Sequence, residues 1–320
     1  MYNKKHLKYI DKSIEKVKAL YDNCICCGHI CGVNRNKNNI GKCKIFEDKD
    51  HIKVASYTLH FGEEPMLVGN NGSGTVFFSS CNLSCVFCQN HQISSDGMGN
   101  IIDIEKLANY FLELEKKGAN NINLVSATHV IYQVLKGLKI ALNSGLNLPI
   151  VYNTNGYDTK ELLDCLYGII DIYLPDLKYV FCEKAFKYSK AENYFNIAIN
   201  AIEIMKEQVN DLILDENGIA KSGLIIRHLI LPNNESDSYD ILLELKYRGF
   251  LNTTISLMSQ YNPKFKSINF ELINRKLYKK EYDDLVNYAI DLGFKNILVQ
   301  DMDSSDIYLP DFKRDKPFLI

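Results

Sequence analysis

The sequence predicts an α/β protein built on a mostly parallel sheet. Short apolar stretches recur at 75–80, 121–126, 149–153, 169–174, 223–231, 253–258 and 295–299, with helical stretches between most of them. Apolar strands alternating with amphipathic helices imply right-handed βαβ crossovers and a parallel sheet. Polar phrases also follow the strands, as expected where the C-terminal strand ends of an α/β fold form a site. Six or seven such units fit an open doubly wound sheet or a full or partial barrel, and the pattern does not choose between them. At 320 residues the chain can bury one large core with room for a small satellite.

In chain order, residues 5–21 place Leu7, Ile10, Ile14, Val17 and Leu20 at helical spacing on a charged segment, which predicts a helix packed outside the core. A cysteine-rich stretch from Cys24 to Cys43 follows, and then a glycine-punctuated segment from Phe61 to Gly74. Ile104, Leu107, Ala108, Phe111 and Leu112 form one helical face that ends near Gly118. Val130, Ile131, Val134, Leu135 and Leu138 form a second. Tyr282, Leu285, Val286, Ala289 and Ile290 form a third, stopped by Gly293.

Composition narrows the function classes. A net charge of −2 gives no reason to expect a nucleic acid or an anionic membrane as partner. No apolar run approaches the roughly 18–20 residues that span a bilayer, and MYNKKHLKYIDKSIEK lacks the apolar core of a secretory signal. Ten cysteines without an export signal point to reduced thiols and metal chemistry, hence to the cytoplasm.

Three cysteines carry the sharpest signal. Cys81, Cys85 and Cys88 follow the strand Thr75–Phe78 and read CNLSCVFCQN, a C-x3-C-x2-C spacing. Three thiolates occupy three irons of a [4Fe–4S] cube, whereas a full complement takes four. The iron left open suits S-adenosylmethionine (SAM), bound through its amino and carboxylate groups. Zinc with a distant fourth ligand and three buried thiols are the other readings. Zinc fingers, however, present a second cysteine pair further on, and none follows Cys88. The later strands end in Ser126-Ala127-Thr128-His129, Asn153-Thr154-Asn155-Gly156 and Pro175-Asp176-Leu177-Lys178, and the fifth contains Arg227 and His228.

The phrases GSGTVFFSSCNLSCVFCQN (72–90), NINLVSATHV (121–130), VYNTNGY (151–157), DIYLPDLKY (171–179) and IIRHLILPN (225–233) resemble the radical SAM superfamily. Within it they resemble the activating enzymes of glycyl radical enzymes, in the PflX-like branch of pyruvate formate-lyase-activating enzyme homologues. The resemblance implies a partial (β/α)6 TIM-like barrel of radical SAM type with a small N-terminal Cys-rich metal-binding segment. It divides the chain into residues 1–60 (helix and cysteine-rich segment), 61–300 (barrel) and 301–320 (a tail closing the barrel). Cys81, Cys85 and Cys88 would ligate the cluster and SAM its fourth iron. A reduced flavodoxin or ferredoxin would supply the electron under anaerobic conditions. The resulting 5′-deoxyadenosyl radical would abstract hydrogen, in the activases from a glycine of a partner enzyme.

Other residues map onto the activases. Thr154, Asn155 and Gly156 match their TNG phrase, and Asp176 and Lys178 their DLK phrase, in loops beside SAM and a monovalent cation. Asn153 stands where the activases carry Asp, which removes a negative charge from that cation site. Lys178 either pairs with the SAM carboxylate as a compact cation or is a solvated loop lysine. Arg227 resembles an arginine near SAM, and a charge on an otherwise apolar strand should be paired. The loop VSATHV lacks the GGE-like phrase with which many relatives hold the SAM amino group. Thr128 and His129 are expected either to take over that contact or to cap and pack the next helix.

Cys24, Cys27, Cys31 and Cys43 form C-x2-C-x3-C-x11-C, with Cys26 as an extra thiol. The PflX-like branch has a similar segment, with Pro-Arg where this chain has Gly28-His29. Zinc would make it a staple, and a second iron–sulfur cluster would relay electrons; the same ligands serve both, and free surface thiols are the third reading. Cys165 and Cys182 stand alone. The phrase Ile172–Lys178 recurs at Ile307–Lys313 with six of seven positions identical. This is read as coincidence in a tail that closes the barrel, against a role for Asp311 near the site. Asp301, Asp303 and Asp306 form an acidic turn. Three functions are consistent with all this: a glycyl radical activase, a radical SAM enzyme acting on another protein or a small molecule, and a metal-stapled binding protein without SAM cleavage.

Overall fold

Strand order settles the architecture. The computed structural model describes residues 2–45, 47–304, 309–314 and 317–318. Strand β1 (His51–His60) pairs antiparallel with β2 (Ser73–Phe78) on one side and β3 (Asn100–Asp103) on the other. From β2 the sheet runs parallel through β4 (Ile122–Val125), β5 (Ile150–Thr154), β6 (Ile172–Pro175), β8 (Ala220–Leu229), β9 (Thr254–Met258) and β10 (Ile297–Val299). The two-residue β7 (Ile213–Leu214) pairs antiparallel with β8 off this path. Along the parallel part, spatial order follows chain order with no reversal. A doubly wound sheet needs a switch point where the order turns back, so this is a partial barrel. Strands β2 to β9 account for six parallel strands, and β10 adds a short seventh.

Helices cover the outside. They are α4 (Ile104–Lys116), α5 (Ile131–Asn143), α6 (Lys160–Leu166), α7 (Cys182–Ser189), α8 (Tyr194–Val209), α9 (Ser238–Tyr247) and α10 (Lys279–Leu292), with the one-turn helix α2 (Pro65–Val68) at the foot of the strands, where Asn121 Nδ2 donates to Leu67 O, and the one-turn helix α3 (His91–Ser94) near the rim. Local chemistry sets their ends. Asp103 caps α4 by accepting from the Lys106 amide at 2.7 Å, and Ile104, Leu107, Ala108, Phe111 and Leu114 form its buried face. Among the described residues no helix is long and apolar enough to cross a membrane.

The segment 1–60 is built into this barrel. Helix α1 (Tyr2–Leu20) packs on α5 and α6. Asp171, at the foot of β6, accepts from His6 Nε2 at 2.8 Å, Lys5 Nζ at 2.7 Å and the Ile150 amide at 2.9 Å. Further on, β1 is a strand of the main sheet, with Ile52 and Val54 buried. The cysteine-rich stretch between them docks on the loop after β5. There Gly28 N–H donates to Tyr157 O at 3.0 Å, and Thr159 Oγ1 donates to Ile25 O at 2.7 Å. A side chain at Gly28 would meet the Tyr157 ring at 2.5 Å, so the approach requires glycine.

Candidate functional site

The loop after β2 carries Cys81, Cys85 and Cys88 to the C-terminal ends of the parallel strands. All three line a cavity of about 210 Å³, together with Asn153 and Thr154 at the end of β5, Asn155 just after it, Asp176 and Lys178 after β6, and Arg227 on β8. The sulfurs face hydrogen-bond donors. Leu83 N–H points to Cys81 Sγ at 3.4 Å and Asn155 Nδ2 at 3.6 Å; Ser189 Oγ lies 3.1 Å from Cys85 Sγ and Ser94 Oγ 3.2 Å from Cys88 Sγ. Burial pushes the Cys81 thiol up to about 12 and the Cys88 thiol to about 11. Bound iron reverses that preference, because a coordinating thiol is deprotonated outright. Among the described residues no three His, Cys, Asp or Glu side chains are grouped as ligands of a single ion. A cubane makes a different demand, since each sulfur binds its own iron around a shared core. Three thiols on one cavity, with donors aimed at the sulfurs, fit that group.

A charge network forms the opposite wall. Arg227 donates from Nε to Asp176 Oδ1 at 3.0 Å, from Nη2 to Asn153 Oδ1 at 2.6 Å and from Nη1 to Glu63 Oε2 at 3.4 Å. Lys178 Nζ donates to the other Asp176 oxygen at 2.6 Å, and its side chain is only 13% exposed, so it is no solvated loop lysine. Burial alone would raise the Asp176 carboxyl, but Lys178 and Arg227 outweigh it and hold the group below the usual carboxylate range. Asn153 is engaged by the guanidinium and by Glu63 Oε1, to which its Nδ2 donates at 3.2 Å. An arginine therefore supplies the positive charge beside Asn153.

Tight turns place these loops. Gly156 has φ +78°, and a Cβ there would lie 2.3 Å from Asp176 O, so the TNG loop closes onto the β6 loop only with glycine. Tyr194 joins the two loops: its hydroxyl lies 2.8 Å from both Asn155 O and Asp176 O and accepts from the Lys178 amide at 3.2 Å. The Thr154 hydroxyl turns away to donate to buried Asp158.

Thr128 and His129 are not on this cavity wall; Val125 and Ser126 are. Ser126 adopts φ 54°, and the 3₁₀ turn Ala127–Val130 carries the next side chains beneath the loop. Thr128 Oγ1 donates to Asp158 at 2.7 Å, and His129 Nε2 meets Ser79 O at 2.8 Å. The structure brings in residues that sequence reasoning missed. His60 and Glu63 come from the end of β1 and the turn after it, and Phe318 from the tail. For His60 and Glu63 the available signal was the phrase HFGEEP, most of which falls in the glycine-punctuated segment from Phe61 to Gly74. Neighbouring Glu64 is pushed up to about 7 by burial, and His60 is pushed down to about 4 for the same reason.

The tail reaches the rim. Gln92 Nε2 donates to Asp311 Oδ1 at 3.1 Å, Phe312 N–H donates to Gln92 Oε1 at 2.7 Å, and Phe318 packs on His60 with ring centroids 4.2 Å apart. Asp306 of the acidic turn, and Ile307 and Tyr308, which open the repeated phrase, lie outside the described residues.

A second, smaller cavity lies behind the first. Cys24, Cys27, Cys31 and Cys43 line it, joined by Cys26, His29, Arg35, Asn82, Thr128 and His129. Cys165 lies elsewhere, buried on α6, and Cys182 is exposed at the start of α7. A roomier groove of about 560 Å³ opens near Tyr2, Asn120 and Asp215, but no cysteine or histidine lines it. The chemistry belongs to the cysteine-lined cavities.

Residues 75–214 match the family model of the radical SAM superfamily. The chain is 31% identical over 289 residues to the uncharacterised protein MJ0674 of Methanocaldococcus jannaschii, a match covering 88% of this chain and 78% of that protein. It is also similar to the crystal structure of methylornithine synthase (PylB), at 16% identity and a TM-score of 0.43, covering 72% of this chain and 70% of that one.

Proposed function

The chain belongs to the radical SAM superfamily of iron–sulfur enzymes, and from that membership we propose that it cleaves SAM reductively at the cavity of Cys81, Cys85 and Cys88 to activate a glycyl radical enzyme. The observation that carries the cleavage site is the convergence of these three thiols with Lys178, Asp176 and Arg227 on one cavity. When bound, the cluster and SAM supply one-electron cleavage to methionine and a 5′-deoxyadenosyl radical, which takes a hydrogen atom from a glycine Cα of the partner.

The chain's own residues do the positioning. Leu83 N–H, Asn155, Ser189 and Ser94 offer hydrogen bonds to the sulfurs, a contact that tunes cluster potential. Lys178 presents a compact cation to a carboxylate, and Glu63 and Asp176 present carboxylates to an ammonium or sulfonium. Apolar Leu83, Phe87, Leu229 and Met258 line the same cavity and exclude water from a reactive radical.

The glycyl radical step rests on the likeness of the loops Thr154–Gly156 and Asp176–Lys178 to those of the activases. Anaerobic incubation with SAM, a reductant and a pyruvate formate-lyase-type enzyme tests it. A glycyl radical doublet in electron paramagnetic resonance (EPR) spectra, with matching 5′-deoxyadenosine, supports activation. 5′-Deoxyadenosine without a backbone radical assigns the chemistry to a different protein or a small molecule.

A further inference from the structure

The loop of Cys81, Cys85 and Cys88 has an outer edge as well as a face on the cavity. Leu83, Cys85 and Phe87 line the cavity, whereas Ser84 between them is exposed. Three neighbouring segments frame this edge. His29 Nε2 lies 2.6 Å from Asn82 O, Ser84 N–H donates to Ser189 O at 3.1 Å, and Lys266 N–H donates to Val86 O at 3.0 Å. Phe265 also stacks on His91, just past the third cysteine, with ring centroids 4.7 Å apart.

The frame is basic and apolar on a chain whose net charge is −2. Residues 79–95 contain no Lys, Arg, Asp or Glu. Residues 259–270 contain Lys264 and Lys266, and residues 24–46 contain Arg35, Lys37, Lys42 and Lys44; neither stretch has an acid. The third side is mixed, since Glu183 and Glu192 accompany Lys187 and Lys190. There Lys184 and Lys187 already face Glu235, and Lys184 also pairs with Asp237. Lys190, Lys264 and Lys266 are exposed. Lys190 Nζ lies 4.7 Å from the Phe186 ring centroid and Lys266 Nζ 5.1 Å from that of Phe265, contacts that hold an ammonium without neutralising it. Ile30, Ile268 and Phe186 add apolar surface, at 61%, 58% and 49% exposure.

We propose that this frame is the docking surface of a small acidic protein that carries a low-potential one-electron cofactor and passes its electron inwards at Ser84 and Cys85. The docking role rests on the cluster reading of Cys81, Cys85 and Cys88. The donor loses one electron and the cluster gains it; no bond is made or broken at this surface, and SAM cleavage consumes the electron. Lysines around the edge steer an acidic partner and fix its orientation, while the exposed apolar side chains supply a contact core. Electron-transfer encounters bury less than about 1,200 Å² in total, so the margin of one loop is enough.

The test compares two reductants on the full chain reconstituted anaerobically with iron and sulfide. Reduced flavodoxin, an acidic flavoprotein, needs a docking surface, and dithionite does not. Lys190→Glu, Lys264→Glu and Lys266→Glu together are expected to slow flavodoxin-driven formation of 5′-deoxyadenosine at least about tenfold at low salt and to leave the dithionite-driven rate unchanged. Binding of oxidised flavodoxin, titrated by calorimetry without SAM, should weaken by a similar factor. In the wild type it should also weaken as ionic strength rises from about 0.01 to about 0.15 M, where the screening length falls from about 30 to about 8 Å. Lys4→Glu, Lys8→Glu and Lys12→Glu make the same change in net charge on exposed positions of α1 and should alter neither readout. Should the first triple variant not fold, Lys264→Glu alone is expected to weaken binding at least about twofold. Unchanged flavodoxin binding in the variants of the frame, or an equal loss in the α1 variant, overturns the proposal. So does weaker binding of a glycyl radical enzyme with flavodoxin binding intact, which would give the surface to the substrate protein. A wild type that forms no product even with dithionite contradicts the cluster reading instead, and the calorimetric titration still decides the docking surface.

Discussion

Arg227 reaches Asp176 through Nε at 3.0 Å and Asn153 through Nη2 at 2.6 Å, so one guanidinium ties β5, β8 and the loop after β6 into a single wall. The arginine and Asp176 side chains are each only 15% exposed. Arg227→Met leaves Asp176 with Lys178 alone and removes the cation beside Glu63. Breaking a buried pair by removing one partner costs about 3–5 kcal/mol. Arg227→Lys should recover part of this, because lysine keeps the charge but not the planar fork. Chemical denaturation of both variants checks it, and a loss below about 1 kcal/mol for Arg227→Met would place the network at the surface-pair level.

Gly156 is the tightest point of the TNG loop. At φ +78°, with Asp176 O 2.3 Å from the position of a Cβ, Gly156→Ala meets both backbone strain and a clash with main chain. A loss of at least about 2 kcal/mol is expected, with reduced SAM binding as the two loops separate. Gly118→Ala is the control. Its φ is +91° but nothing lies within 4 Å of the added carbon, so its cost should stay near about 1 kcal/mol. Equal costs at the two positions would contradict the packing argument.

Tyr194→Phe removes only the hydroxyl shared by Asn155 O, Asp176 O and the Lys178 amide. Leaving these buried groups short of a partner costs about 1–3 kcal/mol. Hydrogen exchange at the Lys178 amide should rise in the variant; unchanged protection would mean that the hydroxyl does not hold the loops.

How much of this was legible depended on how local the signal was. C-x3-C-x2-C, TNG and DLK are short phrases, so chain spacing alone brought Cys81, Asn155 and Asp176 to one rim. Glu63 and His60 were hidden because their arrival depends on β1 pairing with β2, a long-range antiparallel contact that no short window reports. Thr128 and His129 lie in the expected loop, yet the left-handed turn at Ser126 carries them to the second cavity. Periodicity revealed parallel strands but not their order, and order separates a partial barrel from a doubly wound sheet.

Acid should weaken the fold through His228. The ring is fully buried, with Nδ1 2.7 Å from Leu177 O and Nε2 2.8 Å from Ser238 Oγ, and burial pushes its pKa from 6.5 down to about 4. A depressed folded-state value means that stability is intact above pH 6.5 and is lost as pH falls towards about 4, because the unfolded chain takes the proton first. The shift corresponds to about 3 kcal/mol at full extent. His228→Asn should be less stable at pH 7 yet show a shallower acid slope than the wild type. Parallel slopes would assign the acid sensitivity to other groups.

The central claim is that Cys81, Cys85 and Cys88 hold the cluster that cleaves SAM. It is tested most directly by assaying 5′-deoxyadenosine after anaerobic reconstitution with iron and sulfide, followed by SAM and dithionite, with Cys85→Ala alongside. The account predicts product from the wild type and none above background from the variant. Equal product from both, or none from a wild type whose cubane signal does not respond to SAM, would contradict it.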